Sequence, residues 1–203
     1  MQFLEIANEI GTLVDGRVGT VVIKLYINRI IREISAKILL DNNIASTTFS
    51  PTSGTEGYNL PADFSTEVVV KGTNILDYEP WSLYAQKDRT TVALATKTYT
   101  IMGTQILLNP PPTVSSATVT MVYGKQPADL TTDTAEPGIP RNFHYVVKDG
   151  ALLQALASIP PSQDEGGKYA AMIPYVQARF EKGVQDLIDS ESKKGRMRLT
   201  PRG

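Results

Sequence analysis

Apolar residues at the start of the chain recur at three- and four-residue intervals. Phe3, Ile6, Ile10 and Leu13 mark one side of a short helix that Gly16 or Gly19 can end. A second helix is predicted over roughly Val18 to Leu40. It carries one stripe of Ile23, Ile27, Ile30, Ile34 and Ile38 and a second patch, rotated from it, of Val18, Val21, Val22 and Leu25. Burying one aliphatic side chain fully contributes roughly 1.5 to 3 kcal/mol, so leaving four in water forfeits on the order of 6 to 12 kcal/mol. That rivals the stability of a whole domain. Two arrangements answer it: the chain's own helices cover both stripes, or a neighbouring subunit covers one.

Asp41 to Gly57 is crowded with Asn, Ser, Thr, Gly and Pro and reads as a connecting loop. The period then changes to two. Phe64, Thr66, Val68 and Val70 alternate with Ser65, Glu67, Val69 and Lys71, and Ala117, Val119, Met121 and Tyr123 alternate with their own neighbours, which marks sheet with one wet face. Pro61 pushes Leu60 into an extended conformation and ends the strand holding Tyr58, with Asp63 placed to accept backbone hydrogen bonds in the turn. Gly103, between Tyr99/Ile101 and Ile106/Leu108, is hairpin chemistry, because glycine reaches positive φ without a Cβ clash. Pro110 to Pro112 cannot donate to a ladder and close the second arm. With Thr91 to Thr96, five or six strands are expected, in an antiparallel meander or small sandwich.

After a polar loop from Lys125 to Arg141, Phe143, Val146, Val147, Leu152, Leu153 and Leu156 form a third helix stopped by Pro160 and Pro161. Ser162-Gln-Asp-Glu165 is a capping-box pattern opening a fourth helix, whose Tyr169, Ile173, Val176, Phe180, Val184 and Leu187 keep helical spacing past Pro174. The fold class expected is α+β. Residues 1–44 and 138–192 make a helical bundle, 45–137 a β-rich insertion, and 193–203 an extended basic tail.

Four segments give the β region its cadence: Tyr58-Asn-Leu-Pro-Ala-Asp-Phe64, Tyr99-Thr-Ile-Met-Gly103, Ile106-Leu-Leu-Asn-Pro-Pro-Pro112 and Tyr123-Gly-Lys-Gln-Pro127-Ala-Asp-Leu130. This order, flanked by helices, resembles the head-to-tail adaptor (connector) proteins of tailed bacteriophages. In either reading Tyr58, Leu60, Pro61, Asp63, Phe64, Tyr99, Gly103, Pro110 and Pro112 build the fold and catalyse nothing.

Composition narrows the chemistry. Cysteine is absent, so there is no disulfide, thiolate nucleophile or thiolate metal site, which suits a reducing cytoplasm. Glu5 and Glu9 stand where a signal peptide needs positive charge, and Lys24, Arg29 and Arg32 interrupt the best apolar run, so a soluble protein with no membrane partner is expected. The single histidine, His144, has no second histidine or cysteine near it in sequence and reads as a surface or capping residue. No phosphate loop, dinucleotide fingerprint or nucleophile elbow occurs. Asp63, Asp77 and Asp88 each lie in turn-like sequence, where Asp is common for its hydrogen bonds. Trp81 reads as a packing residue, with stacking on a sugar or base, or anchoring a partner, as the alternatives. No enzyme activity, cofactor or metal is expected.

Charge divides the chain. All 21 acids precede residue 193, so 15 cations leave residues 1–192 at a formal −6, while Lys193, Lys194, Arg196, Arg198 and Arg202 give the last eleven residues +5. That tail is a solvated terminus, a DNA arm, or, as the resemblance implies, a portal-docking segment with Met197 and Leu199 as apolar anchors. The resemblance further implies a virion structural protein, assembled in the bacterial host cytoplasm. It would form a ring of twelve subunits between the portal and a tail nozzle or other tail protein, with DNA crossing the lumen without specific binding. In that reading the spare stripe of the second helix, assigned to Ile23, Ile27, Ile30 and Ile34, packs on the next subunit. The alternatives are another neck or tail-completion protein, or a nucleic-acid-binding module using the basic tail.

Overall fold

The computed structural model describes residues 1–87, 92–93, 96–113 and 118–193. Contacts divide the chain into a helical unit, Met1–Asn43 with the chain from Pro127 onward, and a β unit, Ile44–Gln126. The fold class is α+β, with helices from both chain ends and a β-rich insertion.

The helical unit holds α1 (Phe3–Leu13), α2 (Thr20–Lys37), α3 (His144–Ser158) and α4 (Lys168–Lys193). The first amides of α1 lack intrahelical acceptors, as at any helix start. The returning chain satisfies two of them: Phe3 N–H donates to the Ala135 carbonyl (2.8 Å) and Leu4 N–H to that of Asp133 (3.1 Å). The same loop lies along α2. Asn28 clamps the Leu130 backbone through both ends of its amide, at 2.9 and 3.2 Å, Lys24 pairs with Asp133, and Arg32 pairs with Asp129 at 3.3 Å. These contacts place residues 127–137 with the helices, so the second boundary falls after Gln126 rather than at the expected 137.

α3 is the centre of this unit and packs against both α2 and α4. A Cβ on its Gly150 would lie 2.7 Å from Phe180 Cε2 of α4 and 2.9 Å from Ile30 Cγ2 of α2, and a Cβ on Gly183 would lie 2.8 Å from Val146 Cγ2. Those separations are shorter than atoms tolerate, so the close three-helix packing requires glycine at both places. α4 opens differently from expectation. Asp164, not the Ser162/Glu165 box, is its cap, with carboxylate oxygens accepting from Tyr169 N–H (2.8 Å) and Ala170 N–H (2.9 Å) after two glycines at φ near 70°.

Among the described residues the β unit has seven strands: β1 (Ile44–Phe49), β2 (Gly57–Asn59), β3 (Phe64–Lys71), β4 (Asp77–Tyr78), β5 (Thr98–Met102), β6 (Gln105–Asn109) and β7 (Val119–Lys125). They form a three-stranded sheet, β1-β7-β3, and a four-stranded sheet, β2-β6-β5-β4, in which only the β4–β5 pair is parallel. One apolar core, including Val70, Tyr99, Ile106, Leu108 and Met121, draws on both sheets, so the arrangement is a small sandwich.

Two expectations change here. Ile44–Phe49 was expected to be loop, yet it pairs in continuous register with β7, from Ile44 opposite Gly124 to Phe49 opposite Val119. Thr47 and Thr48 between Ile44 and Phe49 are strand formers as readily as loop residues, and the partner strand decides. Val68 is 47% exposed instead of sharing a face with Val70, because β3 carries register shifts between Phe64 and Thr66 and between Glu67 and Val69, and each extra residue breaks the alternation. Of the strand expected at Thr91 to Thr96, Ala93 makes an isolated parallel bridge to Pro112, and residues 91, 94 and 95 lie outside the described residues.

His144 is not a surface residue. It is 1% exposed, its Nε2–H donates to the Ile139 carbonyl (2.9 Å), and its Nδ1 therefore accepts from the Met1 nitrogen (3.0 Å). Burial pushes its pKa below the ordinary histidine value, against a smaller upward pull from the Ile139 carbonyl.

Gly150→Ala tests the helix packing. Alanine gains up to about 1 kcal/mol of helix propensity, but overpacking a tight core costs typically ~1–3 kcal/mol. The net expectation is destabilisation by about 1 kcal/mol or more, read as a lower urea midpoint with unchanged slope. His144 gives a pH dependence of known sign. The unfolded histidine takes up a proton that the folded one resists, so stability present above about pH 6.5 declines as pH falls below that value. Urea midpoints between pH 5 and 8 should trace this decline, and His144→Gln should be less stable at pH 7 with a flatter profile down to pH 5.

Candidate assembly surface

The isoleucine stripe of α2 faces inward. Ile23, Ile27, Ile30 and Ile34 are 0–2% exposed, enclosed with residues of α1, α3 and α4 in the chain's own core. This corrects their assignment to a subunit interface, since side chains without accessible surface have nothing to offer a neighbour. The second patch is the one left in water: Val21 is 74% exposed, Leu25 60% and Val22 39%, while Val18 packs partly against the core.

Arg29 and Arg32 continue that line toward the C-terminal end of α2, both exposed. Positions 21, 25, 29 and 32 keep to one side of a helix. Leu25, Tyr26, Arg29 and Arg32 line an open groove of about 470 Å³. Arg29 makes no ion pair among the described residues, and Arg32 shares its charge with Asp129, which is itself half exposed. The surface is thus apolar over its first half and cationic over its second.

α4 presents another outward face. Ala171, Pro174, Tyr175 and Ala178 are exposed, with Tyr175 at 67%, and Glu181, Gln185 and Asp189 follow. The Arg179 guanidinium sits 5.7 Å from the centre of the Tyr175 ring and makes a two-pronged pair with Asp149 of α3, which is fully buried. Hydrogen bonding to that carboxylate raises the Arg179 pKa further above its already high value. Arg179 is therefore tied to the bundle, while Glu181 accepts from Gln177 (2.9 Å) and Asp189 from Gln185 (2.6 Å) on the helix surface.

In the β unit the motif residues hold turns. Tyr58 stacks on Phe49 at 4.9 Å, and its hydroxyl accepts from Thr52 N–H (2.9 Å) and donates to the Thr55 carbonyl (2.9 Å), fixing the loop before β2. Leu60 N–H donates to the Thr104 carbonyl (2.8 Å), and Phe64 N–H to that of Pro61 (3.0 Å). Asp63 departs from expectation: its carboxylate accepts from the Tyr123 hydroxyl at 3.0 Å, while its backbone carbonyl takes Gln126 N–H at 2.8 Å. Burial pushes the Tyr123 phenol pKa up and Asp63 adds to the shift. Tyr99 is buried in the core, and Gly103 turns the β5–β6 hairpin at φ 59°. Pro110 and Pro112 follow β6 and serve as acceptors, from the Thr96 hydroxyl (3.1 Å) and Gly54 N–H (3.0 Å).

Trp81 is 40% exposed on a single helical turn, Trp81–Tyr84, and stacks on Tyr84, so the buried aromatic of this segment is Tyr84 and not the tryptophan. Among the described residues no group of three or more His, Asp or Glu is placed to hold a metal ion, and no helix is long and apolar enough to cross a membrane. Lys193 is the last residue of α4. Lys194, Arg196, Met197, Arg198, Leu199 and Arg202 lie outside the described residues, as does Asp88.

The outward face of α4 had no place in the sequence reading, which followed only its buried stripe. Its signal is the run of small and apolar residues between those core positions, Ala171, Pro174, Tyr175 and Ala178.

Among the described residues the geometry provides two helical faces and a turn-rich sandwich, with no cluster of acids and histidine placed for a metal. Comparison with curated proteins gives no match. A family model described as SU10 adaptor protein matches residues 1–202. The chain belongs to the SU10 adaptor protein family, a family of phage head–tail adaptors.

Proposed function

We propose that the protein is a virion structural protein that closes into a ring at the head–tail interface, joins the portal to the tail nozzle or another tail protein, and continues the channel through which DNA passes. The ring is twelve-fold, in line with the adaptor resemblance. The observation that carries this reading is the outward face of α2, where Val21, Val22 and Leu25 remain exposed among the described residues.

Magnitudes favour assembly on a template. Covering three aliphatic side chains contributes roughly 1.5 to 3 kcal/mol each. Association costs an estimated ~4 to 15 kcal/mol in lost rigid-body freedom. A single contact of this kind is marginal, whereas copies already bound to a portal ring have lost most of that freedom before they meet. The charge also suits a DNA conduit. A formal −6 over residues 1–192 disfavours phosphate contacts along the body, while the five cations of residues 193–203, with Met197 and Leu199 among them, suit docking on the portal. DNA then passes without specific binding.

Leu25→Asp should fold with an unchanged urea midpoint, because the side chain is exposed, yet fail to form rings when mixed with portal, as seen by electron microscopy. Normal rings from this variant would remove the α2 face from the reading. A chain ending at Ser192 should keep its fold and lose at least tenfold in affinity for purified portal by sedimentation or interferometry. Undiminished portal affinity accompanied by loss of salt-sensitive DNA binding would move the tail's role to nucleic acid.

A further inference from the structure

We infer that the free edge of β1 is the docking site for an extended segment of the tail-side protein, which adds to the three-stranded sheet as a further strand beside β1. This rests on the ring reading above. There the outward face of α2 meets the next copy and residues 193–203 meet the portal, which leaves the β unit for the partner on the tail side.

A strand at the border of a sheet points the N–H and C=O of every second residue away from its neighbour, a template for another extended chain. Proteins blunt such borders with short strands, bulges, prolines, charges or a covering segment. In this sandwich, with two sheets and so four borders, three carry those devices. β2 is only Gly57–Asn59, and Pro61 follows it. β4 is only Asp77–Tyr78, and Pro80 closes it. β3 has two register shifts, the charges of Glu67 and Lys71, and a hook of its own chain, in which Leu76 N–H donates to the Val70 carbonyl (2.9 Å) and Ile75 bridges to Lys71. β1 carries none of these. Ile44-Ala-Ser-Thr-Thr-Phe49 has no charge and no proline, and it pairs with β7 without a shift. Among the described residues no hydrogen bond reaches its backbone from the side away from β7.

What this edge accepts follows from its backbone and its two faces. Unpaired amides and carbonyls along about 20 Å of strand match another extended backbone and no other surface. Ala45 and Phe49 pack against the sandwich core with Thr47 on their side of the strand, while Ile44, Ser46 and Thr48 are exposed. An added strand continues both faces. The segment that fits therefore has period two, with apolar side chains beside Ala45 and Phe49 and uncharged polar ones beside Ser46 and Thr48. A slip of one residue would turn its apolar side chains to water, so the faces also set the register. A second copy's β1 fits less well, because edge-to-edge pairing consumes both free edges and stops at two copies, whereas a ring needs a contact that propagates.

Hydrogen exchange read by mass spectrometry tests this on rings assembled on purified portal, with and without tails detached from virions. Tail binding should slow exchange in residues 44–49 at least tenfold and leave residues 64–71 unchanged. Unchanged exchange at 44–49 in tail-bound rings overturns the docking site while leaving the ring reading in place. Protection already present in rings without tails overturns the assignment to the tail-side protein. Its persistence or loss in a chain ending at Ser192 then says whether the portal or a neighbouring copy, or residues 193–203, supply the strand. If no ring forms on portal, the ring reading fails and the assignment with it. As an independent arm, Ser46→Lys, at an exposed position of β1, should keep the urea midpoint and ring formation but lose at least tenfold in tail affinity. Ser65→Lys, at an exposed position of β3, should lose none. Equal tail affinity in the two variants overturns the docking site.

Discussion

The helical unit depends on the absence of a single carbon atom. With hydrogen in place of a side chain at Gly150, α3 lies close enough to α2 and α4 for Ile30 and Phe180 to meet over its backbone. That approach fixes how α2 is turned. Its isoleucine line enters the core, and the opposite side, with Val21, Leu25, Arg29 and Arg32, is left outward. Gly183 plays the reciprocal part on α4, whose outward side therefore carries Tyr175, Ala178 and the acids. The composition of both faces is thus a consequence of packing at the centre. The Arg179 pair with buried Asp149 adds a polar lock between α3 and α4. Because a buried carboxylate is costly without its partner, the lock tolerates little change in their spacing.

Periodicity made the helices legible, since stripes such as Phe3/Ile6/Ile10 and Tyr169/Val176/Phe180/Leu187 leave few alternatives to a buried helical side. The strands around Gly103 and Pro61 were legible for a different reason: those residues restrict backbone angles locally, whatever surrounds them. Features decided by partners distant in sequence were not legible. Ile44–Phe49 is a strand because β7 pairs with it, Val68 turns outward because β3 has two more residues than its partner accommodates, and Asp63 meets a tyrosine sixty positions away. His144 lacked a visible partner because one is a backbone carbonyl and the other the Met1 nitrogen.

The surface of α2 was half legible. Two apolar lines on one helix announce that both seek cover, but hydrophobicity alone does not say which line the chain covers itself. Charge distinguishes them. The line through Ile23, Ile27, Ile30, Ile34 and Ile38 contains no ionised group, whereas the line through Val21 and Leu25 runs on into Arg29 and Arg32, and a cation belongs where water or an acidic partner can reach it. The more uniformly apolar stripe was the core, and the mixed one the outer surface.

A mixed surface also suits the task of an adaptor. An entirely apolar face of this size would bind any other copy in any register and would aggregate before reaching a virion. Charges at one end of the strip penalise shifted or inverted contacts, because each misplaced arginine loses water without gaining an acid. In the proposed ring, the apolar end would supply attraction too weak to hold two free copies and sufficient once neighbours are held in place. Specific order and delayed assembly would then follow, in that ring, from the same few residues on α2, Val21, Val22 and Leu25 followed by Arg29 and Arg32.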